Sequence, residues 1–178
     1  MSYFSQFPKL QYDIAGNNTF KVVPDILRRV KIKESVRDNL SLIQDYEVSS
    51  GESPETVAYK VYGSTDYYYV VCLMNDIKDR YYDWPLDDSS FETYVKSKYA
   101  NPQGVHHYEK TQSSGATTSN GPSNYSHMIE CNSTDSGALS VSNYEYERRL
   151  QDQKRQIKIL EPNYLNTFLN EFRKLIQR

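Results

Sequence analysis

Tyr46-Glu47-Val48-Ser49-Ser50-Gly51-Glu52-Ser53-Pro54, continuing through Glu55-Thr56-Val57-Ala58-Tyr59-Lys60-Val61-Tyr62-Gly63 to Asn75-Asp76-Ile77, reads as a strand and a capped helix followed by a second compact element. Tyr46 and Val48 alternate with polar neighbours as a half-buried strand does, and Ser49-Ser50-Gly51 supplies a turn where glycine can take positive φ. Ser53 is placed to cap a helix begun by Pro54, because proline's missing N–H costs nothing at the first helical position. Thr56 stands where a capping box has Glu, so the box is incomplete; Glu52 and Glu55 still put negative charge at the positive end of the helix dipole. Val57, Ala58, Val61 and Tyr62 recur at helical spacing, and Gly63 ends the helix. After Ser64-Thr65-Asp66, the run Tyr67 to Met74 is apolar on nearly every side, and periodicity alone does not separate a buried helix from a strand there.

Composition bounds what this unit belongs to. A chain of 178 residues can bury a core and still carry attachments. Its 21 basic and 23 acidic residues leave a formal charge of −2, which argues against non-specific binding of nucleic acid or anionic membranes. Tyrosine, at 17 residues against 6 phenylalanines and one tryptophan, fits either polar protein interfaces or a half-wet core. Cys72 lies in an apolar run and Cys131 in a polar one, so free thiols are expected, not a disulfide. The start, Met1-Ser2-Tyr3-Phe4, has no basic and apolar leader, and no stretch is long and apolar enough for a membrane span; neither export nor anchoring is expected. The sequons at Asn124 and Asn132 then read as chance matches in a serine-rich stretch.

Four segments follow. Residues 1–45 form an N-terminal arm with Tyr3, Phe4, Phe7, Leu10 and Tyr12, a turn at Gly16-Asn17-Asn18, and an expected strand at Val30 and Ile32. It is more ordered apolar chain than one small core would bury. Residues 46–99 hold the unit above, Trp84-Pro85-Leu86, and a helix with Phe91, Tyr94 and Val95 on one face. Residues 100–143 are rich in Ser, Thr, Asn and Gly; His107–Lys110 and Ser126–Cys131 are candidates to pair as a hairpin, with Ser113–Asn124 as its tip. Residues 144–178 read as helix, strand and helix, with Tyr146, Arg149, Leu150 and Gln153 sharing a side of the first helix. Ile157–Leu160 is the strand, and Pro162 begins a helix striped by Tyr164, Leu165, Phe168, Leu169, Phe172, Leu175 and Ile176. That stripe either covers the chain's own core or docks another subunit.

The order of these motifs resembles the baseplate wedge protein 53 family of T-even-type contractile-tailed bacteriophages. The carriers are Tyr46-Glu47-Val48, Gly51 to Ala58, Val61 to Thr65, Asn75-Asp76-Ile77, Tyr82-Asp83-Trp84-Pro85-Leu86, Tyr94-Val95 with Lys98-Tyr99, His106 to Glu109, and Arg155 to Leu160 with Pro162 and Tyr164-Leu165. The central unit also resembles a LysM module. In that pattern the run ending at Met74 is a second helix closed by Asn75, so a helix is expected there. The resemblance implies an α+β protein: a small LysM-like βααβ centre, an extended N-terminal arm, a β-hairpin insertion and a C-terminal amphipathic helix. It further implies a virion structural protein that holds wedge subunits together and links neighbouring wedges around the hub in a six-fold assembly. Made in the host cytoplasm, it would have no catalytic or metal site, no cofactor and no nucleic-acid or membrane partner.

Candidate interface residues on this reading are Tyr67, Tyr68, Tyr69 and Trp84 near the centre and Phe168 and Phe172 on the last helix, some of which must be core instead. The alternative is a peptidoglycan or N-acetylglucosamine site, because LysM modules bind such glycans beside the strand–helix turn. Here that groove would use Gly51, Glu52 and Ser53. LysM modules close with a strand ending in Ile-Pro, whereas this chain has Asp83-Trp84-Pro85-Leu86 after the helices, so the groove is altered or occupied and a fold reused for protein contacts is favoured. A hydrolase would need paired carboxylates, but Asp76, Asp79, Asp83, Asp87, Asp88 and Glu92 crowd a loop between helices, where Asp83 is expected to pin the turn. His106 and His107, adjacent on a strand, are expected to face opposite sides, leaving only His127 and Cys131 as distant partners for a metal.

Overall fold

The computed structural model describes residues 3–32, 41–111 and 128–177. In chain order the elements are β1 (Lys9–Tyr12), β2 (Lys21–Pro24), β3 (Ile43–Glu47), α1 (Pro54–Tyr62), α2 (Tyr68–Met74), α3 (Asp88–Lys98), β4 (Val105–Thr111), β5 (Met128–Cys131), β6 (Leu139–Ser142), α4 (Asn143–Arg155), β7 (Gln156–Leu160) and α5 (Leu165–Ile176). Short 3₁₀ turns precede α2 and α5. The chain is α+β. Its contacts group into two units, residues 1–85 with 154–178 and residues 86–153.

In the first unit β3 and β7 pair antiparallel, Ile43 opposite Leu160 and Glu47 opposite Gln156, with α1 and α2 following β3. The partner strand of β3 is therefore not the stretch right after the helices. Asp83–Leu86 forms no strand, and the partner arrives only after the entire second unit. The capping signals act as their chemistry requires. Ser53 Oγ accepts the Thr56 N–H at 3.2 Å, and Gly63 takes φ 74° and bonds back to the Tyr59 carbonyl.

α2 stands between two apolar clusters, which is why its sequence is apolar all round. Tyr69, Val70 and Met74 face one cluster with Phe7, Leu160, Leu169 and Phe172; Val71 faces the other with Val48, Val57, Trp84, Ile157 and Ile159. Asn75 caps α2, and Asp76 beyond it takes φ 53°. Ile77 N–H then reaches the Cys72 carbonyl at 2.9 Å and Asp76 N–H the Leu73 carbonyl at 3.4 Å, the bond pattern of a Schellman closure. The Asn75 side chain also bonds β7: its Nδ2 donates to the Lys158 carbonyl at 2.8 Å and its Oδ1 accepts the Lys158 N–H at 2.8 Å. One asparagine thus serves as a third strand at the open edge of β7.

β1 and β2 make a separate two-stranded hairpin in register Lys9 to Pro24, closed by a turn in which Gly16 and Asn18 take positive φ. The expected strand at Val30 and Ile32 is absent: both lie in irregular backbone, although the alternation persists, with Arg29 and Lys31 exposed and Ile32 buried. No second chain runs beside that segment to give it a ladder among the described residues.

The second unit has a three-stranded antiparallel sheet in the order β5-β4-β6 with α3 and α4. The β4–β5 pairing includes the expected hairpin residues, with Tyr108 opposite Cys131; β6 was not foreseen, and Ser113–Asn124, Ser126, His127 and the Asn124 sequon lie outside the described residues. α4 buries Glu147 and Gln151, not the side carrying Tyr146, Arg149, Leu150 and Gln153. Polar groups hold that face: Glu147, 2% exposed, accepts Lys98 Nζ and Tyr99 Oη, each at 2.7 Å, and Gln151 accepts the Leu86 N–H at 3.0 Å. A reading that looks for apolar periodicity misses a helix anchored by Glu and Gln.

Candidate functional site

At the Gly51-Glu52-Ser53 turn, where the alternative reading puts a glycan groove, the side chains bond to one another and to their own unit. Gly51 takes φ 80°, turning the chain so that Glu52 points inward, where it is 9% exposed. Its carboxylate accepts the Ser49 N–H at 2.8 Å, Tyr46 Oη at 3.1 and 3.2 Å, and Lys60 Nζ. Its backbone carbonyl accepts Trp84 Nε1–H at 2.7 Å. Burial pushes the Glu52 carboxyl up, but the bonds from Lys60, Ser49 and Tyr46 outweigh it and hold the group below the usual carboxylate range. Burial and the Glu52 bond raise the Tyr46 phenol in turn. Glu52 and the Ser53 hydroxyl are thus committed to internal partners.

The six interface candidates divide. Tyr69, Trp84 and Phe172 are 3%, 7% and 2% exposed and are core residues, the portion of the six that the sequence reading expected to be core. Tyr69 joins Phe172 at 5.5 Å between ring centroids, and its hydroxyl accepts Gln6 Nε2 at 2.9 Å. Trp84 seals the second cluster while its indole N–H fixes the Glu52 carbonyl, so Asp83-Trp84-Pro85-Leu86 acts as a clasp. Asp83 Oδ2 pins that clasp by accepting the N–H groups of Lys78 and Asp79, both at 2.9 Å, as its position in the loop predicts. Tyr67, Tyr68 and Phe168 are half-buried at the edge of the clusters and keep part of each ring accessible.

Sequence reasoning did not single out the most exposed apolar residues as a site. Tyr12, Ile14, Phe20, Val22, Ile26 and Leu27, on and after the β1–β2 hairpin, are all more than half exposed, Leu27 at 89%. Tyr81 and Tyr82, just before the clasp, are exposed as well. The available signal was architectural: a hairpin of two four-residue strands has two faces, and of its strand residues only Leu10 and Val23 are even half-buried. Arg28 ties this segment to its own unit, donating Nε to Asp25 at 2.9 Å and Nη1 to the Ile176 carbonyl at the end of α5 at 3.2 Å.

The histidines sit differently from expectation. A bulge between Val105 and His107 abolishes strict alternation, so His106 and His107 meet with their Nδ1 atoms 2.9 Å apart instead of facing opposite sides. His106 stacks on Tyr146 at 3.9 Å, and His107 Nε2 lies 3.0 Å from Glu109. Among the described residues no group of three His, Cys, Asp or Glu is arranged to hold a metal. Asp87 caps α3 by accepting the N–H groups of Ser89 and Ser90, and Asp88 pairs with Arg148 at 3.2 Å. Cys72 and Cys131 are both free, the Cys72 thiol pushed up to about 11 by burial.

A family model for base plate wedge protein 53 matches residues 3–175. The chain belongs to the base plate wedge protein 53 family. Over 156 residues it is 26% identical to the baseplate wedge protein gp53 of Enterobacteria phage T4, spanning 76% of this chain and 74% of that protein. Membership in the base plate wedge protein 53 family makes this a structural protein of a phage tail baseplate. Among the described residues no helix is long and apolar enough to cross a membrane.

Proposed function

We propose that this protein holds subunits of a baseplate wedge together and links neighbouring wedges around the hub, in a six-fold assembly built in the host cytoplasm. The observation that carries this reading is the bare apolar surface of the β1–β2 hairpin and the segment after it, on a chain whose family is named for the wedge. Exposing such a surface to water raises the free energy, and covering it with another protein lowers it. The half-buried rings of Tyr67, Tyr68 and Phe168 supply further contact area; binding, not turnover, is the mechanism.

The order of strand, two helices and closing strand supports a LysM-like centre whose glycan role has been given up. Glu52 and Ser53, which would face a sugar, spend their bonding capacity on Lys60, Tyr46, Ser49 and Thr56. We therefore favour protein contacts over peptidoglycan or N-acetylglucosamine binding, and expect no nucleic-acid, membrane or cofactor partner.

Sedimentation of purified protein with preassembled wedges tests the proposal. Closure of wedges into rings, lost when Phe20, Val22 and Leu27 are changed to Ser together, is the expected result. Saturable binding of chitin oligomers or peptidoglycan with no effect on wedges would move the function to the host cell wall.

A further inference from the structure

The first unit contains a pocket of about 530 Å³ that the groove and the hairpin surface do not include. Tyr3, Phe4, Tyr68 and Leu73 give its lining an apolar, largely aromatic part. Four cations and two carboxylates complete the charged part, and they do not cancel. Arg80 is paired with Glu55 at 2.9 Å and Lys78 with Asp76 at 3.7 Å, whereas Arg29 and Lys31 have no acidic partner among the described residues. Their backbone is anchored. Val30 between them packs on the first apolar cluster, and Ile32 after them is buried in it, so the alternation leaves Arg29 and Lys31 exposed. Two cations carried on an anchored backbone beside aromatic surface suit an occupant that brings negative charge.

We propose that this pocket receives an acidic peptide segment of another protein. A bulky apolar side chain of the segment would rest against Tyr3, Tyr68 and Leu73, and its neighbouring carboxylates would pair with Arg29 and Lys31. The volume is in the range of pockets that take a few side chains. The chain's own net charge of −2 disfavours a nucleic acid drawn in by charge alone. The inference relies on the assembly reading only for where the peptide comes from.

The full chain titrated with a fluorescein-labelled peptide, Asp-Glu-Leu-Phe-Glu, in fluorescence anisotropy provides the test. Binding should be about tenfold tighter than for the amide counterpart Asn-Gln-Leu-Phe-Gln and should weaken as salt is raised. Arg29→Ala with Lys31→Ala should abolish that preference, while Lys9→Ala, elsewhere on the arm, should leave it intact. Both changed residues are exposed, so the fold is expected to survive, and near-ultraviolet circular dichroism checks this. Because Cys72 lines the pocket and Cys131 does not, saturating peptide should slow iodoacetamide alkylation of Cys72 alone. Equal binding of the acidic and amide peptides, an unchanged double variant, unprotected Cys72, or equally tight binding of oligothymidylate would each overturn the proposal. These readings need no wedges, so their failure is separable from a failure of ring closure.

Discussion

The N-terminal hairpin and the C-terminal helix α5 belong to the same unit and carry apolar side chains at regular spacing, yet they end in opposite states. α5 lays Leu165, Leu169, Phe172 and Ile176 along one stripe, and all four are buried against Phe7, Tyr69, Val70 and Met74. The hairpin leaves Tyr12, Phe20 and Val22 in water. A single helical stripe needs one covering surface, and α2 supplies it together with Phe7, Ile32 and Leu160. A two-stranded ribbon has two faces; Leu10 and Val23, paired on one of them, are only half-buried, and Tyr12 and Val22 stay exposed. The two ends therefore differ: one completes the core, and the other leaves in water the apolar surface on which the proposed assembly role rests.

The difference can be broken most forcefully at Phe172. Phe172→Ala should destabilise the isolated protein by about 3–5 kcal/mol, read from the urea midpoint, because a fully buried ring leaves a cavity. If that change instead spared stability and blocked wedge joining, α5 would be a docking element after all. Asn75→Ala comes next, at about 2–3 kcal/mol, since it strands the Lys158 N–H and carbonyl together. In the second unit Glu147→Ala should cost about 2 kcal/mol by leaving Lys98 and Tyr99 without their shared acceptor.

Acid sharpens the comparison further. Glu52 and Glu147 both titrate below their ordinary value when folded: burial raises each, and the bonds from Lys60 and Lys98, with their other donors, outweigh it. Their contribution is present above the unfolded carboxyl pKa of about 4.3 and is lost as pH falls through the lower folded values. Urea midpoints should therefore drop on acidification, less steeply in Glu52→Gln than in the parent chain. The smallest effect on stability belongs to the hairpin. Phe20→Ser, Val22→Ser or Leu27→Ser should each change the isolated protein by no more than about 0.5 kcal/mol while weakening its sedimentation with wedges.

Local chemistry was legible in the linear order wherever one residue type answers one backbone need. Ser53, Pro54, Gly63 and Asp83 do what their positions imply, because a cap, a first turn, a left-handed stop and a pinned loop are each satisfied within a few residues. The aromatic residues were harder. Tyr68 and Tyr69 are neighbours in one run, but Tyr69 is core and Tyr68 half-buried, a distinction set by which side of α2 meets the other elements. α4 misled for a related reason, since its buried positions are Glu147 and Gln151, whose charge and polarity are matched only by residues far away in the chain.

By itself the sequence determined the capped helix after Gly51 through short-range signals, and the order of its motifs carried the resemblance from which the family, the α+β class and the second helix were expected. Tertiary structure alone decided that β3 takes its partner from residues 156–160, that Asn75 completes the edge of that strand, and that the Glu52 carboxylate is consumed internally. It also decided which apolar end was left uncovered. Each of those outcomes depends on groups brought together across long stretches of chain, and burial belongs to the surface that meets a side chain, not to the side chain itself.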